Sequence, residues 1–237
     1  METKKLNNSP VREAAVAVTF TSVYKELHEL DPVLEELKKE YPLVHPAMNM
    51  DVGQDGKPKS EKIGYTLFSQ DKKETLFLHK NRFMLVSQRK YEGFEKLYET
   101  FIRLFRILVS EKNGLDLKKA VSTAGLRYNN IFDVPVEELG RVVNFMPHFN
   151  IGSFKLAAFS GEFVLVGDDR AESLAKVMLS PAEDKKHIRL VFDATVSKEI
   201  KDFSEETLNV AFSELRVLKN ELFFGNINTD IVKTFNG

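Results

Sequence analysis

The chain has 237 residues, of which 43% are hydrophobic and 29% are charged, and these proportions are typical of a globular protein rather than a disordered one. Its 34 basic and 35 acidic side chains give a formal net charge of −1, so nucleic-acid binding would require a local basic patch. The absence of cysteine excludes disulfides, thiolate metal sites and cysteine nucleophiles.

The first third of the chain predicts a strand, a short helix and a loop after a polar tail of nine residues. Residues 10–20 alternate larger and smaller apolar side chains with the period of two that is typical of a strand. Asp31 and Pro32 predict the N-cap and first turn of a short helix that Pro42 ends. Residues 42–62 contain Gly53, Gly56 and several lysines, and we expect them to form a mobile loop.

Three strands and the clearest helix of the sequence come next. Residues 63–69, 75–79 and 83–88 read as strands, and the short polar spacers between them predict antiparallel hairpins. Residues 94–108 place their aromatic and leucine side chains at helical spacing on one face, so this helix must cover a sheet. Asn113 and Gly114 predict its C-terminal stop.

The second half repeats this order of elements. A central strand over residues 121–132 precedes a short helix from Pro135 to Pro147. Three further strands are predicted at residues 153–166, 173–179 and 187–196, and the alternative is that the first of them is split into two at Gly161. A long amphipathic helix follows, with Ser204 as its N-cap and Gly225 at its end.

The repeated order predicts an α+β fold built from two pseudo-repeats, residues 10–114 and 120–225, within a single domain spanning residues 1–237. Each repeat reads β-α-β-β-β-α. The two halves are expected to share one antiparallel sheet with both long helices packed on one face and the other face open. This is the plan of saddle or helix-grip folds, and such a plan does not determine function.

The central strand carries the main candidate interaction residues. Arg127 and Asn129 share one face of this strand, while Asn130 shares the other face with apolar side chains. We interpret Arg127 and Asn129 as a solvated face or a structural pair, and the alternative is that they bind a ligand or partner. Glu13, on the matching strand of the first half, is a candidate neighbour of both.

The strongest local basic patch is Lys57, Lys59 and Lys62. We interpret this patch as a solvated hairpin edge, and nucleic-acid binding is the alternative. Further basic residues that could add to the patch or to an open sheet face are Lys72, Lys73, Arg82, Arg127 and Arg189.

No catalytic or metal-binding pattern occurs in the sequence. The five histidines lack metal-ligand spacing, and neither a phosphate-binding glycine loop nor a serine nucleophile elbow is present. We therefore expect no metal and no cofactor, and a non-enzymatic role is favoured. The N-terminus lacks an apolar signal region and no run of about 18 apolar residues occurs, so a cytoplasmic location with no membrane contact is expected.

Three short segments, residues 9–14, 125–130 and 220–224, resemble a sporadically distributed bacterial family of uncharacterised proteins. The central segment reads Gly-Leu-Arg-Tyr-Asn-Asn, with Asn130 where a more apolar residue is usual. The resemblance implies a full-length, soluble bacterial protein with the scattered occurrence that is typical of mobile genes. It implies no activity and no catalytic residue.

These observations lead to one main hypothesis and two alternatives. The main hypothesis is a non-enzymatic binding or protein-interaction module of a mobile bacterial system, such as phage defence or a toxin–antitoxin pair. Its partner is another protein or a second copy of the chain. The alternatives are a nucleic-acid-binding saddle that uses the basic patch, and an enzyme with an unrecognised site around Arg127, Asn129 and Glu13.

Overall fold

The structure is a computed structural model that describes residues 10–21, 26–52, 57–88, 91–110, 121–135, 159–166, 171–183 and 187–227. Within these residues the chain forms an α+β fold with a nine-stranded antiparallel sheet and three α-helices. The strands are β1 (Val11–Phe20), β2 (Leu43–Val52), β3 (Pro58–Phe68), β4 (Glu74–His79), β5 (Arg82–Gln88), β6 (Val121–Pro135), β7 (Phe159–Val166), β8 (Ala171–Pro181) and β9 (His187–Glu199). The helices are α1 (Asp31–Leu37), α2 (Phe94–Leu108) and α3 (Glu205–Asn226), and a 3-10 helix, Leu27–Leu30, precedes α1.

The strand order in the sheet is β2-β3-β4-β5-β1-β6-β9-β8-β7. The predicted antiparallel hairpins of the first half are confirmed, because β3 pairs with β4 and β4 pairs with β5. In the second half, β7 pairs with β8 and β8 with β9. The first strand of each half therefore lies at the centre of the sheet, and the Ile131 N–H donates a hydrogen bond to the Pro10 carbonyl at 3.0 Å.

The chain divides into two compact units, each assembled from separate segments. Unit 1 comprises Met1–Ala14, Leu126–Lys198 and Ser213–Gly237. Unit 2 comprises Ala15–Gly125 and Glu199–Phe212.

The core of unit 2 is built on the apolar face of α2. The sequence pattern predicts this face correctly, since Phe101 is fully buried between rings from three elements. Its ring centroid lies 5.7 Å from that of Phe83 on β5, 5.7 Å from that of Phe105 on α2 and 5.7 Å from that of Phe212 on α3. Aromatic pairs at these separations add to the free energy of burial.

The core of unit 1 joins β6, β8 and β9 to the C-terminal turns of α3. The Phe192 ring on β9 contacts the Phe223 ring on α3 edge to face, with centroids 5.9 Å apart. The buried members of this cluster are Phe132, Val134, Ala175, Val177, Leu179, Ile188, Leu190, Phe192, Ala194, Phe223 and Ile227.

Helix ends were predicted with mixed success. Ser204 is confirmed as the cap of α3, because its Oγ accepts a hydrogen bond from the Thr207 N–H at 3.0 Å. The prediction of Asp31 as N-cap is wrong, since the preceding 3-10 helix makes Asp31 the first residue of α1. Its carboxylate instead accepts a hydrogen bond from Tyr65 at 3.2 Å. Helix α3 runs one residue past Gly225.

The mobile loop predicted for residues 42–62 is wrong. Residues 43–52 form β2, and β3 begins at Pro58, so the two strands make a long antiparallel hairpin. The glycines, prolines and lysines suggested a loop, but β2 is the first strand in the sheet order, where proline and polar residues are tolerated.

Some predicted elements lie outside the described residues. They are the helix predicted after Pro135, the beginning of the strand predicted from residue 153, and the helix stop at Asn113 and Gly114. Val134 and Pro135 belong to β6. Among the helices within the described ranges, none has the length and apolar character needed to cross a membrane.

Candidate functional site

Three neighbouring strands of the sheet, β1, β6 and β9, bring together the side chains of Glu13, Arg127, Asn129 and Asp193 in unit 1. The alternation of β6 is as predicted, because Ala124, Leu126, Tyr128 and Asn130 are buried while Arg127 is exposed. Arg127 and Asn129 therefore share a face of β6, and the structure adds Asp193 from β9 to the predicted group.

The Arg127 guanidinium makes a two-pronged hydrogen bond to the Asp193 carboxylate. Nε donates to Oδ1 at 2.9 Å and Nη2 donates to Oδ2 at 2.6 Å. Nη1 donates a longer bond to Glu13 at 3.4 Å, and the Asn129 amide donates to Asp193 at 3.4 Å. One guanidinium thus faces two carboxylates, so this network of four residues, the Arg127 network, does not present a net positive charge.

The electrostatics of the Arg127 network favour a permanent ion pair. Hydrogen bonding to Asp193 raises the pKa of Arg127 above its usual value, so the guanidinium stays charged. The Arg127 side chain is 47% exposed, whereas that of Asp193 is only 15% exposed. An incoming anion could reach Arg127 but would have to compete with a sheltered carboxylate already bound to it.

Asn130 lies apart from the Arg127 network. Its side chain is buried, and the amide donates a hydrogen bond to the Phe192 carbonyl at 3.1 Å. A buried amide with a partner tolerates the apolar surroundings that would otherwise disfavour it. This contact gives the unusual polar residue of the central segment a structural explanation.

A second ion pair joins the same two strands. The Arg189 guanidinium on β9 donates to the Asp133 carboxylate on β6 at 2.9 and 3.1 Å. Arg189 was a candidate contributor to a basic sheet face, and here it is paired with an acid.

The predicted basic patch is interleaved with acidic residues in unit 2. Lys59 lies opposite Asp51 in the β2–β3 pairing, and Lys62 lies opposite Met48. Because strand side chains alternate between faces, Lys59 and Lys62 project from opposite sides of β3. The Lys62 ammonium lies 4.1 Å from the centroid of the Tyr65 ring, and Glu61 contacts Lys80 at 3.7 Å.

In the β3–β4 connection, Lys73 is balanced in the same way. The Lys73 ammonium lies 2.7 Å from the Asp71 carboxylate. Lys57 immediately precedes β3, and Lys57, Lys59 and Lys62 are the candidate nucleic-acid patch.

A cleft of about 200 Å³ lies at the beginning of α2 in unit 2 and was not predicted from the sequence. Its charged groups already have partners, because Lys96 contacts Glu92, Lys73 contacts Asp71, and Glu74 accepts a hydrogen bond from Tyr41 at 2.6 Å. The lining residues are Asp71, Lys73, Glu74, Ser87, Tyr91, Glu92, Gly93, Lys96 and Leu97.

The structural role of the Arg127 network can be measured by a double-mutant cycle. We expect Arg127→Ala and Asp193→Ala each to destabilise the fold by about 1 kcal/mol, with the double variant little worse than either single one. Arg127→Lys should not restore stability, because an ammonium cannot form the two-pronged bond. Urea denaturation gives the free energies of unfolding. Arg189→Ala is the matched control, because it removes a guanidinium from the separate ion pair with Asp133 on the same two strands. Additive effects of Arg127→Ala and Asp193→Ala would contradict a structural ion pair.

Fold and site together define a class: an α+β protein with a nine-stranded antiparallel sheet whose central strands carry a neutralised ion-pair network. Comparison with known protein families finds no family model that matches the chain, and no curated protein matches it.

Proposed function

We propose that the chain is a non-enzymatic protein-interaction module, soluble and cytoplasmic, that serves a mobile bacterial system such as phage defence or a toxin–antitoxin pair. Its partner is another protein or a second copy of the chain. The bacterial and mobile context rests on the sequence resemblance alone.

The observation that carries this proposal is a row of apolar side chains on β2. Met48, Met50 and Val52 are 48%, 74% and 70% exposed, and they alternate along the strand, so all three lie on one face. Single exposed apolar residues are normal on a protein surface, but a contiguous row on an edge strand is typical of an interaction site.

The Arg127 network supports the non-enzymatic part of the proposal. Arg127 is bound to two carboxylates, and a neutralised guanidinium is poorly suited to stabilise developing negative charge. The network also contains no nucleophile beside a base. Binding of a partner by Glu13, Arg127 and Asn129 remains a prediction, as does the enzymatic alternative.

We further propose that the sheet is an internal duplication with a saddle-like plan. Its strand order supports this idea. Outward from the centre, one side reads β1, β5, β4 and β3, and the other reads β6, β9, β8 and β7, so the successive strands correspond in sequence order. Among the described residues β2 has no counterpart in the second half.

Binding of purified partner candidates tests the proposed function. The products of genes adjacent to the one that encodes this chain, expressed singly, should include one that binds in isothermal titration calorimetry. A variant carrying Met48→Ser and Met50→Ser should bind at least about tenfold more weakly, equivalent to about 1.4 kcal/mol. Val217→Ser, at a half-exposed apolar residue of α3, is the matched control and should leave binding unchanged.

Two other results would overturn this proposal in favour of the alternatives. The first is binding of DNA or RNA that weakens steeply with salt and disappears when Lys57, Lys59 and Lys62 are changed to Glu. The second is a catalysed reaction that Arg127→Ala abolishes while the fold is retained.

A further inference from the structure

The outer edge of β2, beside the apolar row, is a candidate site for pairing with a further strand. In the part of the chain that the structure describes, β2 stands at the end of the strand order and has β3 as its only neighbour. Pro46 has no N–H group to donate, and an irregularity in the pairing lies between Ala47 and Met48. The regular part of this edge therefore consists of residues 48–52.

The strand segments at this edge have little support from the rest of unit 2. Strand β4 pairs with β3 only at Gly64–Phe68, so residues 58–62 of β3 pair with β2 alone among the described strands. We call residues 48–52 and 58–62 the β2–β3 arm. All residues of the arm except Lys62 are exposed. Because a two-stranded ribbon is marginally stable in water, an additional strand would stabilise the arm.

We propose that the edge of β2 pairs antiparallel with the same edge of a second copy of this chain, across a two-fold axis at Met50. This inference rests on the proposed function and names the partner. Met50 then lies opposite Met50 of the partner subunit, and Met48 lies opposite the partner's Val52. Every apolar side chain of the row therefore meets another apolar side chain on the same face.

The opposite face of the arm is also self-complementary in this pairing. Asn49 lies opposite the partner's Asp51, twice by symmetry, so an amide donor faces a carboxylate acceptor. Within one chain the Asp51 Oδ1 accepts a hydrogen bond from the Val52 N–H at 2.8 Å. Its second oxygen can accept from the partner's Asn49.

Other two-fold registers fit less well. Directly opposed residues of antiparallel strands lie on the same face, so the axis must pass through a residue. An axis at Asp51 opposes two carboxylates, which is unfavourable. An axis at Asn49 places Ala47 opposite Asp51 and Pro46 opposite Val52, and an axis at Met48 also uses the irregular and proline-containing part of β2.

The expected dimer is weak because its paired segment is short. Five paired residues on each side are far fewer than the about 20–30 residues a side of a standard interface, so we expect a dissociation constant on the order of 10⁻⁵ M. The chain should then be monomeric in dilute solution and dimeric at high concentration.

Sedimentation velocity of the purified chain from about 1 µM to about 500 µM tests this dimer, because the range brackets the expected constant. Met50→Asp should weaken association by at least tenfold by opposing two carboxylates at the axis, whereas Asn49→Lys should strengthen it through two ion pairs with Asp51. Val217→Asp is the matched control, since Val217 is a half-exposed apolar residue of α3, and it should leave association unchanged. Unchanged association in both arm variants would overturn the proposal.

Cysteine cross-linking reads the register directly, because the chain has no cysteine of its own. In Met50→Cys the two opposed Cα atoms lie about 4.5–5.5 Å apart, within the range that a disulfide spans. In Met48→Cys or Val52→Cys the two copies of the residue are about 13 Å apart and cannot be joined. Val217→Cys is the control on α3. The proposed register is supported if the disulfide-linked dimer forms much faster in Met50→Cys than in Met48→Cys, Val52→Cys or Val217→Cys. Equal rates in all four variants would overturn it.

The two proposals can fail separately. A chain that stays monomeric at the highest concentration, yet binds an adjacent gene product in a way that Met48→Ser and Met50→Ser weaken, overturns the self-pairing and leaves the interaction module in place. Dimerisation that is insensitive to Met50→Asp and Asn49→Lys also overturns the self-pairing, because the interface then lies elsewhere.

Discussion

Gly64→Ala is expected to destabilise the fold by about 3 kcal/mol or more, at the upper end of the range for overpacked cores. Gly64 lies in β3 between Ala47 of β2 and His79 of β4. A methyl group at this position would lie 2.2 Å from the Leu78 carbonyl oxygen and 2.6 Å from the His79 Cα. Both atoms belong to the backbone of β4, so relief requires the strands to separate rather than a side chain to rotate.

Gly225→Ala is the matched control for this substitution. Gly225 lies in the last turn of α3, and a methyl group there would have no atom within 4 Å apart from its chain neighbours and the backbone of its own helix. Because alanine is the better helix former, we expect this variant to be more stable by about 0.5–1 kcal/mol. Urea denaturation followed by circular dichroism measures both changes. A Gly64→Ala variant as stable as the native chain would contradict the close approach of β3 and β4.

Lys219→Met is expected to stabilise the fold at neutral pH by as much as about 3 kcal/mol. The Lys219 ammonium on α3 lies 4.1 Å from the centroid of the buried Tyr128 ring on β6. Burial, reinforced by Arg216, lowers the pKa of Lys219 from 10.5 to about 8. A shift of this size corresponds to a cost of about 3 kcal/mol for burying the charge. The attraction between the ammonium and the electron-rich face of the Tyr128 ring offsets part of this cost.

The sign of the pH dependence follows from the lowered pKa. Below pH 8 Lys219 is protonated in both the folded and the unfolded chain, so the unfavourable burial of its charge is fully present. Between about pH 8 and 10.5 the unfolded chain retains a proton that the folded chain has released, and stability therefore rises with pH. The advantage of Lys219→Met over the native chain should shrink across this window.

This expectation is tested by measuring unfolding free energies at pH 7, 9 and 10.5. These pH values span the window between the pKa of Lys219 in the folded chain, about 8, and its ordinary value of 10.5. Lys201→Met changes an exposed lysine and is the matched control, with little effect at any of these pH values. A constant difference between Lys219→Met and the native chain would show that the ammonium is not sheltered by the fold.

The long helices could be predicted from the sequence because the interactions that define a helix join residues close to one another along the chain. The apolar face of α2 repeats at helical spacing, and the Ser204 cap bonds a residue three positions along the chain. The β2–β3 hairpin was missed for the opposite reason. Its apolar residues Met48, Met50 and Val52 do alternate, but the surrounding glycines, prolines and lysines are typical of loops and outweighed that signal.

The Arg127 network was only half predictable. The sequence placed Arg127 and Asn129 on one face of a strand, and Glu13 was a candidate neighbour because its strand occupies the matching place in the first half. Asp193 is 66 residues away from Arg127 along the chain, and only the register between β6 and β9 brings the two together. Strand register over such a separation depends on the packing of the whole sheet, which single-sequence patterns do not determine.

The central position of β1 has a consequence for how the protein is made. Strand β1 lies beside β6, and Thr19 and Ser122, whose hydroxyl groups are 3.1 Å apart, are separated by 103 residues of sequence. During synthesis the ribosome releases β1 long before β6 exists. The edge of β1 that pairs with β6 therefore stays without its final neighbour until β6 has been synthesised. Pairing over so long a separation slows folding and exposes the nascent chain to aggregation.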